Sequence, residues 1–256
     1  MAEGIFDTHA HYDDDAFDGD REELISQLPL AGITSVVNAG ADMAGSRASV
    51  ELARRYPGFY AAVGVHPSDT SGLTEADMDE LAALAADPKT VAIGEIGLDY
   101  HYPDTDRPMQ QKWFIRQLVL ARELDMPVVI HSRDAAKDTY EIIRAEGSGL
   151  TMDMHCFSYS LEEAKKYLDM GFYLGIGGVL TFKNARKLRE VAEYAPLSQL
   201  LLETDCPYLS PEPHRGRRNS SLNLPYVVRA LSEIKGMDRE DVIRTTRENA
   251  MRFYRL

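Results

Sequence analysis

The sequence has little cysteine, no excess of basic residues and no long apolar run. Its two cysteines, Cys156 and Cys206, cannot build a disulfide framework, which favours a reducing, cytoplasmic location. A net charge of −13 argues against nucleic-acid binding through a broadly basic surface. Apolar runs such as 59–65 are far shorter than the about 20 residues that cross a bilayer. The acidic start Met1-Ala2-Glu3-Gly4 predicts no signal peptide, so we expect neither membrane spanning nor secretion.

Short apolar runs instead alternate with longer segments of helical spacing. The runs predict eight strands, at 4–8, 33–38, 60–65, 90–95, 127–131, 151–155, 172–176 and 199–204. Helices are predicted at 21–30, 46–56, 75–86, 107–124, 135–145, 161–170, 185–193, 224–234 and 239–253. Eight βαβ-type units in about 250 residues predict an α/β fold, the (β/α)8 TIM barrel, with a single domain over 1–256. An open Rossmann-like sheet is the alternative, although neither G-x-G-x-x-G nor a P-loop motif is found.

Residues able to do chemistry follow almost every predicted strand. Five of the seven histidines lie at such positions, as do two carboxylates: His9, His11, His66, His131, His155, Glu95 and Asp205. The carboxyl ends of the strands of a parallel barrel lie on one rim, so we expect these side chains to converge there.

The pair His9-x-His11 has the spacing of a metal site. Residues two apart on a strand project to the same side, which brings two imidazoles within reach of one cation. A His-rich set with carboxylates suits Zn²⁺, Mn²⁺ or Fe²⁺, whereas Mg²⁺ prefers more oxygen ligands. The alternative for each histidine is an exposed or hydrogen-bonded strand residue without a ligand role.

Glu95 and Asp205 follow the apolar runs 91–93 and 200–202. A carboxylate at the end of a buried strand must be paired or bound to a metal, because burying it alone is costly. Glu95 can bridge two metals through its two oxygens, and Asp205 can ligate a metal and accept a proton from the attacking water. The structural alternatives are an ion pair of Glu95 with Arg133 or Lys183, and a helix or loop cap at Asp205.

Several motifs together resemble the TatD family of metal-dependent DNases, which belong to the amidohydrolase-type barrels. They are Phe6-Asp7-Thr8-His9-Ala10-His11, Gly64-Val65-His66-Pro67, Gly94-Glu95-Ile96-Gly97-Leu98-Asp99-Tyr100, His131-Ser132-Arg133, His155-Cys156-Phe157-Ser158 and Glu203-Thr204-Asp205-Cys206-Pro207-Tyr208. Thr181-Phe182-Lys183-Asn184 and Arg215-Gly216-Arg217-Arg218-Asn219 are similar to further segments of that family. The resemblance covers essentially the whole chain in the family order.

The resemblance implies a role for each matching residue. His9, His11 and Asp205 would hold one divalent ion, His131 and His155 a second, and Glu95 would bridge the two. His66 and Arg215 would contact a substrate phosphate, and Arg133 and Lys183 are further candidates for substrate binding. The family often continues with Glu-Pro after Asn219, whereas this chain has Ser220-Ser221, a difference that concerns substrate contacts rather than ligands.

The function expected from this set is deoxyribonuclease activity, with Asp205 and Glu95 as catalytic groups. Two divalent cations per subunit, Zn²⁺, Mn²⁺ or Mg²⁺, would activate a hydroxide that attacks a phosphodiester bond of DNA. We expect an exonuclease on single-stranded ends, and neither a membrane nor an obligate protein partner. An ester or amide hydrolase, such as an aminoacyl-tRNA deacylase, is the alternative with the same ligands, and a non-catalytic barrel used for binding is a third reading.

Cationic and aromatic residues beside these motifs suggest how DNA would be held. Arg215, Arg217 and Arg218 form the better candidate for backbone phosphates, whereas Lys183, Arg186, Lys187 and Arg189 are better explained as a solvated helix face. Tyr100, Tyr102 and Phe157 are candidates for stacking on bases, although aromatic residues often only line the wall of a site.

Overall fold

The computed structural model describes residues 4–256, which contain eight β-strands and nine α-helices. The strands are β1 (Ile5–Ala10), β2 (Ile33–Ala39), β3 (Phe59–Val63), β4 (Thr90–Asp99), β5 (Val128–Arg133), β6 (Met152–Met154), β7 (Tyr173–Ile176) and β8 (Leu200–Leu202). The helices are α1 (Arg21–Gln27), α2 (Met43–Arg55), α3 (Glu75–Ala85), α4 (Arg107–Glu123), α5 (Ala136–Glu146), α6 (Leu161–Asp169), α7 (Arg186–Tyr194), α8 (Leu224–Lys235) and α9 (Arg239–Tyr254). The interpretation of Met1–Glu3 lies outside the described residues.

The strand order confirms the predicted fold class. The strands belong to one sheet in which they follow each other in chain order from β1 to β8, and helices separate them along the chain. This order is that of the (β/α)8 barrel and differs from the order of an open Rossmann sheet, in which the chain reverses direction across the sheet. No helix within residues 4–256 is both long and apolar enough to span a membrane.

The chain divides into two compact units. The first unit comprises Met1–Asn38, described from residue 4, together with Cys156–Leu256, and the second comprises Ala39–His155. Whether both units fold as the single domain expected from the sequence stays a prediction.

In the first unit the last strand returns beside the first. The hydroxyl of Thr8 donates to the carbonyl of Leu202 at 3.0 Å, and Ala10 forms a parallel bridge with Cys206. Helix α9 supports both strands. The hydroxyl of Tyr254 donates to the carbonyl of Thr8 at 2.8 Å, and the side-chain amide of Asn249 donates to the carbonyl of Leu200 at 2.9 Å. The carboxyl ends of β1 and β8 are therefore fixed side by side.

In the second unit β3, β4, β5 and β6 pair in parallel, and α4 supports their carboxyl ends. The side chain of Gln117 accepts from the backbone N–H of Val65 at 2.8 Å and donates to its carbonyl at 3.1 Å. The side-chain oxygen of Gln110 accepts from the backbone N–H of Asp99 at 2.9 Å. Two buried glutamines of one helix thus hold the backbone of the segments that carry His66 and Asp99.

Two boundaries differ from the sequence prediction for clear reasons. Helix α1 ends at Gln27 rather than at residue 30, since Pro29 starts a 3₁₀ turn that closes at Gly32 with a φ of 82°. Strand β4 continues to Asp99, so that Glu95 lies within it rather than at its end. All ten residues of β4 are buried, which explains why the glycine-interrupted sequence after Glu95 stays extended.

Candidate metal centre

The first unit brings His9, His11 and Asp205 together as predicted; we call them the first ligand set. The two Nε2 atoms of His9 and His11 are 3.0 Å apart. Oδ1 of Asp205 lies 3.3 Å from Nε2 of His11 and 3.8 Å from Nε2 of His9. His9 and His11 are both buried, whereas the side chain of Asp205 keeps 17% exposure. Two imidazole nitrogens and a carboxylate oxygen that face one small volume fit the ligand chemistry of a divalent transition metal.

Backbone hydrogen bonds between β1 and the segment after β8 produce this geometry. The N–H of Asp205 donates to the carbonyl of His9 at 2.9 Å, and the N–H of His11 donates to the carbonyl of Cys206 at 2.8 Å. Asp205 has a φ of 56°, a left-handed conformation that aspartate tolerates better than most residues. The turn it makes brings its carboxylate toward the two histidines.

A buried carboxylate behind the first ligand set, Asp7, was not among the predicted site residues. Its carboxylate accepts two hydrogen bonds from Thr204, one from the backbone N–H at 3.0 Å and one from the side-chain hydroxyl at 2.7 Å. It accepts a third from the hydroxyl of Ser221 at 2.6 Å. Burial raises the pKa of Asp7 to about 7, although these hydrogen bonds lower it. Its position two residues before His9, inside an apolar strand, was the available sequence signal.

Ser221, where this chain differs from the usual family sequence, is part of a buried hydrogen-bond network. It is fully buried, and its hydroxyl also accepts a hydrogen bond of 2.8 Å from the hydroxyl of Tyr12. The sequence analysis associated the Ser220-Ser221 difference from the family only with substrate contacts. In the structure, Ser221 also hydrogen-bonds to Asp7, the buried carboxylate behind the first ligand set.

The second unit brings together Glu95, His131 and His155, the second ligand set. Oε1 of Glu95 lies 2.7 Å from Nδ1 of His131 and 3.1 Å from Nε2 of His155. These three ligand atoms lie within 4.8 Å of one another, which fits a divalent cation. Both of these contacts of Glu95 are with imidazoles, the neighbours that a carboxylate of a metal site shares.

Asp99 orients His131 from the opposite side of its ring. Oδ2 of Asp99 lies 3.3 Å from Nε2 of His131, so the ring stands between two carboxylates. Burial alone would lower the pKa of His131, but the hydrogen bonds to Asp99 and Glu95 raise it. Such a carboxylate–histidine contact fixes the ring orientation of a metal ligand. A Cβ atom on Gly97 would clash with the backbone carbonyl of His131, so only glycine allows β4 and β5 this approach.

His66 lies in the same unit, and its ring accepts a hydrogen bond from the backbone. Its Nδ1 accepts from the backbone N–H of Ser68 at 3.1 Å, so that the neutral ring carries its proton on Nε2. Nε2 lies 3.8 Å from Oε1 of Glu95. The ring therefore presents an N–H donor beside the second ligand set, which suits a contact with an oxygen anion better than metal ligation.

The predicted cationic residues are exposed in the structure. Arg133 ends β5, Lys183 lies shortly after β7, and Arg215 lies in the loop after Asp205. The guanidinium of Arg215 lies 4.4 Å from the ring centroid of Phe182, whereas Arg218 forms a two-pronged ion pair with Asp20 at 2.5 and 2.7 Å. The charge of Arg218 is thus engaged within the chain. On α7, Arg186 pairs with Glu190 at 2.9 Å, in line with a solvated helix face.

The aromatic residues considered for base stacking differ in how exposed their rings are. The interpretation of Phe157 as a stacking residue is wrong, because its ring is only 3% exposed and packs in the core. The ring of Tyr100 lies 4.4 Å under the guanidinium of Arg107, and its hydroxyl donates to Asp138. Tyr102 remains 58% exposed. The sequence interpretation did not include Tyr208, which is 56% exposed and lies only three residues after Asp205.

The remaining histidines and the cysteines lie outside both ligand sets. His101 pairs with Asp134 at 2.9 Å and His214 contacts the hydroxyl of Tyr226 at 3.1 Å. Cys156 and Cys206 are not joined in a disulfide, and burial raises the pKa of the Cys206 thiol far above its ordinary value.

The sequence matches a known family over nearly its whole length. The chain is a metal-dependent hydrolase with the (β/α)8 fold. The sequence model described as TatD related DNase matches residues 6–255, and the chain therefore belongs to the TatD family.

Individual relatives extend over nearly the whole chain. The chain is 41% identical to the uncharacterized metal-dependent hydrolase YabD of Bacillus subtilis, over 98% of this chain and 99% of that protein. It is 34% identical to the 3'-5' ssDNA/RNA exonuclease TatD of Cronobacter sakazakii, over 98% and 97% of the two chains. Among solved structures, the TatD homologue YJJV of Escherichia coli K12 superposes with a TM-score of 0.94 over the full length of both chains, at 29% identity.

Proposed function

We propose that this protein is a metal-dependent deoxyribonuclease that hydrolyses phosphodiester bonds at single-stranded ends. The observation that carries the proposal is the presence of two imidazole–carboxylate ligand sets whose nearest donor atoms are 2.7 to 3.8 Å apart. A relative with 34% identity is named a 3'-5' ssDNA/RNA exonuclease, which supports nucleic acid as the substrate class.

Each ligand set would hold one divalent cation. His9, His11 and Asp205 provide two nitrogens and a carboxylate for one ion. His131, His155 and Glu95 provide the same donor types for the other. When bound, Zn²⁺, Mn²⁺ or Mg²⁺ lowers the pKa of water and offsets negative charge on phosphoryl oxygens. The bridging role that the family resemblance gives to Glu95 stays a prediction.

The side chains of this protein would then carry out the proton transfer and hold the phosphate. Asp205 keeps partial exposure, so its carboxylate can orient the attacking water and accept its proton. The water oxygen forms a bond to phosphorus, the bond from phosphorus to the leaving sugar oxygen breaks, and that oxygen takes up the proton that Asp205 had accepted. The N–H of His66 and the exposed guanidinium of Arg215 would hold phosphate oxygens, with Arg133 and Lys183 as further cationic contacts.

The direct test uses single-stranded oligodeoxynucleotides labelled at the 3′ or the 5′ end. We expect metal-loaded protein to release nucleotides progressively from one end, and protein stripped by a chelator to regain this activity when Mn²⁺, Zn²⁺ or Mg²⁺ is added. Metal analysis of the same samples gives the stoichiometry, and the two labels give the polarity. An oligonucleotide that stays intact with every metal, in protein shown to bind metal, would overturn the proposal.

Replacement of Arg215 by glutamine separates phosphodiester hydrolysis from hydrolysis of a neutral ester. The change removes a cation that can donate two charge-assisted hydrogen bonds to phosphate, so we expect kcat/KM for an oligonucleotide to fall about 10- to 100-fold. A small neutral ester makes no such contact, and its hydrolysis should not change. Arg186→Gln on the exposed face of α7 is the matched control. Equal losses with both substrates would favour the ester or amide hydrolase instead.

A further inference from the structure

An exposed aromatic ring stands next to the first ligand set. The side chain of Tyr208 is 56% exposed, although it follows the buried residues Cys206 and Pro207. The centroid of its ring lies 6.5 Å from that of His11, with 61° between the ring planes. An exposed aromatic surface therefore lies directly beside the ring of His11, a predicted metal ligand.

Local contacts hold this ring in place. The backbone N–H of Tyr208 donates to the carbonyl of Asp205 at 2.9 Å, so the ring is tied to the turn that carries the ligand. At its other end the hydroxyl donates to Oδ2 of Asp14 at 2.8 Å. Oδ1 of the same carboxylate accepts from the backbone N–H of Ala16 at 2.8 Å. A ring fixed at both ends loses little further conformational freedom when a flat ligand stacks on it.

We propose that Tyr208 is the stacking surface for the unpaired nucleobase next to the phosphodiester bond that is cleaved. This assignment rests on the proposed nuclease function and adds to it a residue that selects single-stranded ends. Bases within a duplex are covered by their neighbours on both faces, whereas a base at a single-stranded end can place one face on an aromatic ring. Stacking of this kind accepts every base, because each has a π-face.

The other aromatic residues considered do not offer this combination of exposure and position. Phe157 is buried, and the ring of Tyr100 is covered by Arg107. Tyr102 is exposed, but its ring packs at 5.2 Å against His101, which pairs with Asp134 and belongs to neither ligand set. Tyr194 belongs to the same unit as Tyr208 and is 52% exposed, but it ends α7 and packs under Lys165. Tyr194 therefore provides a control of equal size and similar exposure away from the ligands.

The test compares oligodeoxynucleotides that differ only in one base. One carries a normal nucleotide at the susceptible end, and the other carries a tetrahydrofuran abasic residue there; a second pair places the abasic residue at the opposite end. For the wild-type protein we expect kcat/KM to be about 10- to 100-fold higher with the base present. Tyr208→Ala should reduce this preference to less than about threefold, mainly through slower cleavage of the base-bearing substrate.

Two further variants determine whether the ring itself is responsible. Tyr208→Phe loses the hydrogen bond to Asp14 but keeps the ring, so the preference for the base should be retained. Tyr194→Ala should behave as the wild type. If Tyr208→Ala slows both substrates equally, or Tyr208→Phe matches Tyr208→Ala, the stacking role is wrong.

The outcomes also separate this inference from the function on which it rests. A wild-type protein that cleaves base-bearing and abasic ends equally well would overturn the role of Tyr208 and leave the nuclease proposal standing. A metal-loaded wild-type protein that cleaves neither substrate would overturn the nuclease proposal.

Discussion

Asp205→Asn is expected to lower kcat for oligonucleotide hydrolysis by about 10²- to 10⁴-fold, the range found for general acid–base groups. The amide has the shape of the carboxylate but cannot accept the proton of the attacking water. In the wild type, Oδ1 of Asp205 lies 3.3 Å from Nε2 of His11. The amide keeps one oxygen that can take this position, so the first ligand set should retain part of its metal affinity. We therefore expect a variant that binds metal more weakly but loses rate even when metal is saturating.

The measurement that separates the two effects is a metal titration of kcat together with a pH–rate profile. Loss of a base changes the acidic limb of the profile, whereas loss of a ligand is corrected by added metal. Asp169→Asn, at the exposed end of α6, is the matched control and should leave both curves as they are. Full recovery of kcat at high metal concentration with an unchanged profile would show that Asp205 is a ligand and not the base.

His131→Ala is expected to remove one metal equivalent and most of the activity. Its imidazole stands between Oε1 of Glu95 at 2.7 Å and Oδ2 of Asp99 at 3.3 Å. The substitution deletes a nitrogen ligand and the group that separates two carboxylates, so the second ligand set should lose its ion first. The first ligand set, His9, His11 and Asp205, is untouched and should still bind.

Metal analysis after gel filtration gives a readout that does not depend on activity. We expect about two equivalents in the wild type, if each ligand set binds one ion, and about one in His131→Ala, with a decrease in kcat of about 100-fold or more. His214→Ala removes a half-buried histidine that lies outside both ligand sets and contacts the hydroxyl of Tyr226, and it should match the wild type. Two equivalents and full turnover in the His131 variant would remove this residue from the site.

The strands and helices of this fold are largely readable from the sequence. Apolar β-branched runs alternate with amphipathic segments, and the nine predicted helices were all found, with ends that moved by a few residues. The exceptions depend on local chemistry that periodicity does not show, as at Pro29, which ends α1 early, and after Glu95, where burial on all sides keeps a glycine-rich segment extended.

The ligand residues could also be proposed from sequence, but their surroundings could not. His9 and His11 follow from the period of a strand, and the structure places both close to Asp205 within one unit. By contrast, the contact of Asp7 with Ser221 joins residues 214 positions apart, and the ion pair of Arg218 with Asp20 joins residues 198 apart. No local pattern carries such pairs.

The sequence by itself determined the order of strands and helices, the residue types at the ends of the strands and the family. Tertiary structure decided which side chains are available: it buried Phe157, covered Tyr100, engaged Arg218 and left Tyr208 exposed beside His11. The reason is that chemical type and periodicity are local properties of a chain, whereas exposure and pairing depend on which distant segments pack against a residue.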